Sequence, residues 1–282
     1  MEQDYRASQG LRSDLEKRGL VPAVGVYDVF SAVLASRHYD TLFISGFGFA
    51  ASQYGLPDIG FVTWSDVINF VQRLRAIVPH QKLIVDIDDG FCDPAVAIHT
   101  VRTLEASGVA GVVLEDQLRP RRCGHFDNKC VMAIPDYVEK LKRVLAARKD
   151  LFVIARTDSS DKADILTRVE AYAGAGADAV LVDGIQDVEF LRTIRERIGC
   201  YLVFNQIAGG KSPPSTWTEL RSLGVSLVIY STPCLFAAQS AIEQALQELE
   251  HHDGMLSYPV EGAVGVRECV AVLNENVVDG SS

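Results

Sequence analysis

The 282-residue chain is 48% hydrophobic and 23% charged, a globular balance with enough length for a large core. Its formal net charge of −10 argues against an extended nucleic-acid or anionic-membrane surface, because either needs a basic patch. No apolar run approaches the roughly 18 residues that span a bilayer, and the N-terminal MEQDYRASQGLRSDLEKRG is polar and mixed in charge, unlike a secretory signal, so a soluble, cytoplasmic protein without nucleic-acid or membrane partners is expected.

Eight short runs rich in Val, Ile and Leu follow one another: Val21–Tyr27, Thr41–Gly46, Lys82–Ile87, Gly111–Asp116, Phe152–Thr157, Ala179–Gly184, Tyr201–Gln206 and Ser226–Ser231. Near-continuous apolar residues without strict alternation mark strands covered on both faces, as in parallel sheets. Helical patterns lie between them, among them Ala95–Ser107, Ile134–Arg148 and Lys162–Ala175, and glycines in EASGVAG and YAGAGADAV stop two of these before the next strand. Strand and helix alternating eight times predict a (β/α)8 barrel. The alternative is an open doubly wound sheet, but no glycine-rich dinucleotide loop follows the first run. No linker or composition shift divides the chain, so one domain over residues 1–282 is expected, with a helical extension from about residue 235. After His252 the pattern predicts a short helix and a frayed tail within NENVVDGSS.

The six cysteines (Cys92, Cys123, Cys130, Cys200, Cys234, Cys269) show no CxxC pair or zinc-like spacing, and a disulfide framework is not expected. Only Cys123 has a strongly cationic neighbourhood. It lies in VVLEDQLRPRRCGH, Val112–His125, where an apolar run meets Glu115 and Asp116 and then Arg119, Arg121, Arg122, Cys123, Gly124 and His125. Guanidinium groups beside a thiol predict an easily moved proton. The bland alternative is a solvated charged loop with an incidental cysteine. About twenty residues separate Asp116 from the helix near Ile134, a length common in lids, and Gly124 could serve as a hinge.

Barrels of this kind place their chemistry at the C-terminal strand ends. Asp86 and Asp88 are expected to face together by strand alternation, with Asp89 facing away. With Glu115 from the next strand they make three carboxylates that would repel unless a cation or protons intervened. Mg2+ fits such a set, with Mn2+ as the alternative ion; an acidic turn with an Asp cap is the structural alternative. Arg156 ends a buried strand and needs either a protein carboxylate or a substrate carboxylate or phosphate. Ser45-Gly46-Phe47-Gly48 offers a hydroxyl and backbone N–H groups to a small anion. Tyr27 and Asn205 are further polar strand ends, whereas Lys211 reads as a loop charge.

From about Val21 to about Leu246 the chain resembles the isocitrate lyase and phosphoenolpyruvate mutase superfamily. The resemblance is carried by SGFG at Ser45–Gly48, YGLPDIGFVT at Tyr54–Thr63, DIDDGF at Asp86–Phe91, LEDQ at Leu114–Gln117, RRCGH at Arg121–His125, ARTD at Ala155–Asp158 and NQIAGGKSP at Asn205–Pro213. It implies a Mg2+-dependent barrel whose eighth helix is exchanged between subunits of a homotetramer, acting on small 2-oxo, 2-hydroxy or phosphono carboxylic acids. By position, Asp86, Asp88 and Glu115 would hold the metal. Ser45, Gly46 and Arg156, with Tyr27, Gly48, Asp86, Gly124 and Asn205, would bind substrate. The CGH loop implies a lyase in which Cys123 gives a proton to the carbanion left by carbon–carbon cleavage, with Arg121, Arg122 and His125 tuning it. Departures touch the pocket: Arg121 replaces a usual lysine, Phe43 a frequent tyrosine, Ala208 the acid before GGK, and Tyr230–Pro233 reads YSTP for YPLS. The expected activity is carbon–carbon cleavage of a substituted malate or related 2-hydroxy acid. A carboxyphosphonoenolpyruvate-type phosphonomutase, an oxaloacetate hydrolase or decarboxylase, and a binder without turnover are the alternatives.

Overall fold

All eight runs form strands in the computed structural model, which describes residues 7–255 and 264–277. They are β1 (Val21–Val26), β2 (Thr41–Ile44), β3 (Lys82–Asp86), β4 (Gly111–Glu115), β5 (Phe152–Thr157), β6 (Ala179–Val182), β7 (Tyr201–Asn205) and β8 (Leu227–Tyr230). Neighbours pair in parallel and in chain order, and β8 returns to β1 through Val21–Leu227 and Ala23–Ile229. The barrel is therefore closed, which removes the open-sheet alternative.

The connecting helices are α2 (Val29–Ser36), α3 (Gly46–Phe49, continued by a π-helical turn at Ala50–Tyr54), α4 (Trp64–Ile77), α5 (Pro94–Ala106), α6 (Ile134–Ala147), α7 (Lys162–Gly174), α8 (Phe190–Arg197) and α9 (Trp217–Ser222), after an N-terminal α1 (Ala7–Arg18). Most start where the sequence supplies an oxygen for the orphan N–H groups of a first turn. Asp28, Thr63, Asp93, Asp161 and Thr216 each accept such a bond.

Strand parity decides what fills the barrel. Val21 and Ala23, Phe43, Ile84, Val113, Phe152 and Ile154, Ala179 and Leu181, Val203, Leu227 and Ile229 form one buried cluster. Leu11 and Leu15 of α1 join it, so α1 packs on the N-terminal end of the barrel. Arg12 anchors that helix to Asp150 at 2.9 Å and Asp178 at 3.0 Å, just ahead of β5 and β6. With one end sealed by leucines, chemistry is left to the other.

Residues Cys234–Ser282 form a second compact unit, distinct from Met1–Pro233. It carries α10 (Pro233–His251) and α11 (Val266–Asn274). No residue of α10 is buried, and Ile242 and Leu246 are exposed. The short helix expected after His252 is α11; the expected frayed tail lies outside the described residues. No described helix is long and apolar enough to cross a membrane.

Candidate active site

Counting onward by twos from the interior residues, every strand delivers one polar side chain to the C-terminal mouth: Tyr27, Ser45, Asp86, Glu115, Arg156, Asp183, Asn205 and Ser231. The parallel register sets Glu115 directly beside Arg156. Asp116, one residue on, has the opposite parity and faces outward, where it accepts from Tyr172 at 2.6 Å and pairs with Arg168 at 3.1 Å. It is a structural acid.

Asp88 reaches the mouth differently from the alternation expectation. β3 ends at Asp86, and Asp88 turns through a left-handed backbone (φ 52°) that returns its N–H to Asp86 Oδ1 at 3.2 Å. Asp89 does face away and takes a two-pronged bond from Arg119, each arm 3.0 Å. A Cβ on Gly46 would stand 3.3 Å from Asp88 Oδ1, 3.6 Å from Asp86 Oδ2 and 3.7 Å from Asp58 Oδ1, so the glycine leaves open the space those acids face.

Asp58, within YGLPDIGFVT, is a further site residue whose role no motif or parity marks. Arg121 ties it to the other acids. Its buried guanidinium donates to Glu115 Oε1 at 2.5 Å, Asp88 Oδ2 at 2.8 Å and Asp58 Oδ1 at 3.3 Å. This corrects the expected role of Arg121: it neutralises carboxylates and does not lie free to tune the thiol. Arg122 is exposed, and Gln117 brackets its backbone at 3.0 and 2.8 Å.

Four carboxylates (Asp58, Asp86, Asp88, Glu115) thus face two guanidinium groups, Arg121 and Arg156, and Arg156 is also shared with Asp158 and Asp183. The set is short of at least two positive charges. Burial pushes Asp86 and Asp88 above the usual carboxylate range and Glu115 up to about 7, despite the two arginines. Asp88 Oδ1 and Glu115 Oε2 are buried without a hydrogen-bond partner. Among the described residues, no group of three or more His, Cys, Asp or Glu side chains is placed so that it could hold a metal ion by itself. The unpartnered oxygens instead suit Mg2+, which takes one or two carboxylates and keeps several waters. A divalent ion held here would need the acids ionised, so its affinity should fall as pH drops below about 7, by up to about tenfold per pH unit for each proton displaced. Calorimetry with Mg2+ in buffers of different ionisation enthalpy should show proton release near pH 6 that vanishes well above 7; affinity constant across that span would contradict it.

Arg156 meets Asp158 at 2.9 and 3.0 Å, Asp183 at 2.8 Å and Glu115 at 3.4 Å. This arginine has protein carboxylates as partners and stands at the mouth. Burial works against the charge of Asp183, but the guanidinium of Arg156 holds that carboxyl below its ordinary range. Asn205 donates to Asp183 Oδ1 at 2.8 Å and accepts from Ser231 Oγ at 2.8 Å. Asp183 and Asp158 are further members that parity or the ARTD motif could have supplied. Ser45 Oγ accepts the N–H of Gly48 at 3.2 Å and caps α3, and Gly48 packs against the Cβ of Tyr27.

The segment after β4 returns on itself: Leu118 N–H bonds to Cys130 O and Met132 N–H to Asp116 O, each at 2.8 Å. Its tip carries Cys123, half-buried, and Gly124. A Cβ on Gly124 would fall 1.9 Å from Asp183 Oδ2 and 2.5 Å from Arg156 Nη2, so glycine is required for the tip to lie on the mouth. His125 Nδ1 accepts the N–H of Lys211 at 2.9 Å and its Nε2 lies 3.5 Å from Asp183 Oδ1. Burial raises the Cys123 thiol to about 11, opposite to the easily moved proton expected from the arginine-rich sequence. Behind the tip is a chamber of about 330 Å3 whose wall includes Gly124, Lys129, Asp158, Asp183 and Phe190.

A closed (β/α)8 barrel with arginine-braced acids at its C-terminal mouth and a thiol on an overlying loop has the layout of a barrel enzyme. The chain belongs to the phosphoenolpyruvate phosphomutase family, whose model matches residues 11–250. Its relatives include lyases and a phosphorylmutase, and the family works with a divalent metal ion. The chain is 34% identical over 245 residues to a 2-methylisocitrate lyase of Aeropyrum pernix, covering 85% of this chain and 78% of that one. A crystal structure of 2,3-dimethylmalate lyase superposes with a TM-score of 0.89 at 30% identity, covering 96% and 93% of the two chains. Oxaloacetate acetylhydrolase bound to 3,3-difluorooxalacetate gives a TM-score of 0.89 at 29% identity, covering 97% and 95%.

Proposed function

We propose that the protein is a Mg2+-dependent carbon–carbon lyase that cleaves a small 2-hydroxy di- or tricarboxylate, a substituted malate or isocitrate-like acid, into a 2-oxo acid and a second carboxylate. The observation that carries this reading is a thiol raised to about 11 at the loop tip, beside the carboxylate-binding arginine. Such a group stays protonated at neutral pH, which suits a proton donor. Asp86, Asp88 and Glu115 would hold the metal, whose charge, when bound, would offset the negative charge on the substrate's hydroxyl oxygen as its proton leaves. Arg156, Ser45 and the Gly46 and Gly48 backbone would hold carboxylates, with Tyr27, Gly124 and Asn205 completing the pocket.

The substrate's hydroxyl proton passes to one of the mouth carboxylates, the O–H electron pair closes the new carbonyl, and the adjacent carbon–carbon bond breaks with its pair left on the departing carbon. That carbon takes the Sγ proton of Cys123. Solvent later takes the carboxylate's proton and returns one to the thiolate. His125, set between Lys211 and Asp183, fixes the far side of the loop tip. α10, which has no buried residue and leaves Ile242 and Leu246 in solvent, is what an eighth helix exchanged between the subunits of a homotetramer would present. The cytoplasm is the proposed setting.

The test is a retro-aldol screen of 2-hydroxy di- and tricarboxylates coupled to detection of pyruvate and glyoxylate, with and without chelator. We expect metal-dependent release from at least one substituted malate. A phosphonate signal changing in phosphorus NMR with phosphonopyruvate, or loss of oxaloacetate absorbance, with no retro-aldol activity would replace this reading by the mutase or hydrolase one.

A further inference from the structure

The loop after β4 holds a cation that the scheme above leaves unused. Lys129 sits among exposed residues, with Phe126, Asp127, Asn128 and Cys130 all in solvent, yet its own side chain is only 8% exposed. Its Nζ donates to the Gly124 carbonyl at 2.5 Å and to Asp158 Oδ1 at 2.8 Å. Lysine gives up its hydration only where partners replace it, and in a surface loop the ammonium could have stayed in water at no cost. The buried position therefore ties the loop's closed course to this pair.

Both partners matter. Gly124 follows Cys123, so the bond from Nζ fixes the peptide next to the thiol. Asp158 is the carboxylate that grips Arg156 from the other side, at 2.9 and 3.0 Å. Arg156, Asp158, Lys129 and the Gly124 carbonyl form one continuous chain of charge-assisted bonds from the mouth to the loop tip. Of the other anchors, Lys211 holds Asp127 at the exposed rim, Gln117 holds Arg122, Arg121 goes to the acids, and His125 holds the far side of the tip through the Lys211 N–H.

We infer that Lys129 is a positioning residue: bridging Asp158 to the Gly124 carbonyl, it latches the loop over the mouth and sets the Cys123 thiol beside the carboxylate that Arg156 holds. A substrate carboxylate that engages Arg156 leaves Asp158 freer to hold Lys129, so binding draws the latch tighter. The kinetic consequence rests on the proposed donor role of Cys123; the latch itself can be read without turnover.

The test is peptide-resolved alkylation of the full-length protein by iodoacetamide. In the parent, Cys123 should react more slowly than exposed Cys92, and more slowly still with Mg2+ and oxalate present. Lys129→Met, which keeps the apolar stem, should raise the Cys123 rate about tenfold, abolish the oxalate protection and leave the Cys92 rate unchanged. Lys129→Arg should restore most of the protection. Lys162→Met, on the same chamber but paired with Asp187 at the exposed rim, should match the parent. With a substrate, Lys129→Met should cut kcat about tenfold while KM moves less than about threefold. An unchanged Cys123 rate in folded Lys129→Met protein overturns the latch, and Lys129→Gln is read the same way should the methionine variant not fold. A faster Cys123 rate with kcat intact leaves the latch standing and removes Cys123 from the rate-determining chemistry.

Discussion

Replacing Cys123 by serine should lower kcat about a thousandfold on the substrate that the retro-aldol screen identifies, within the range general acids contribute. The melting temperature and the binding of Mg2+ and oxalate should stay close to the parent's. A serine hydroxyl fits the space but is a far weaker acid than the thiol, so it cannot match the electron pair left on the departing carbon. Because the residue is only half-buried, its truncation opens no large core cavity. The pH profile supplies a second check. The donor works in its protonated form, so the parent's kcat should not rise with ionisation of this group and should fall as pH climbs through about 11. A loss of less than about tenfold in the serine variant would take Cys123 out of the proton transfer.

The barrel was legible because parallel strands covered on both faces write themselves as unbroken Val, Ile and Leu, and most helix starts carry their own capping oxygen. Much of the mouth was legible for the same reason. Once the interior parity of a strand is known, the polar residue two positions beyond is aimed at the centre, as with Glu115 after Val113 and Asn205 after Val203. What the sequence hid lay off the strands. Asp88 reaches the mouth through a left-handed turn that alternation does not describe. Asp58 comes from the long connection between β2 and α4, and its place shows only in space, through Arg121 and the open side of Gly46. Lys129 is one lysine among the polar residues of a loop, with no periodic pattern to mark it. The charge of Arg121 was read along the chain, where Cys123 is its neighbour. In space the guanidinium turns to the acids, and burial then dominates the thiol. Proximity in sequence misled because an arginine side chain is long enough to choose partners from other elements.

Arg121→Gln should be the most destabilising of these changes, by about 3–5 kcal/mol in unfolding free energy, the usual cost of removing one partner from a buried ionic cluster. Glutamine keeps part of the stem and can still donate, but it brings no charge to Glu115, Asp88 or Asp58. The loss should depend on pH with a definite sign. Glu115 ionises near 4.5 when unfolded and near 7 in the fold, so the native state binds the extra proton. Stability from that proton is complete below about 4.5 and is lost as pH rises through about 7. Removing the guanidinium raises the acids further, so the gap between variant and parent should widen from pH 5 to pH 8 in chelator. Saturating Mg2+ should narrow it, because a divalent ion supplies charge to the same carboxylates. The metal-induced rise in melting temperature should therefore be larger for Arg121→Gln than for the parent. Equal rises in both proteins would mean that the arginine and the ion do not share these acids. A variant within about 1 kcal/mol of the parent at pH 8 would mean that the acids are held by Arg156 alone. The larger metal response, if found, identifies the arginine at the usual lysine position as a permanent counter-charge that holds the acids together until the ion arrives.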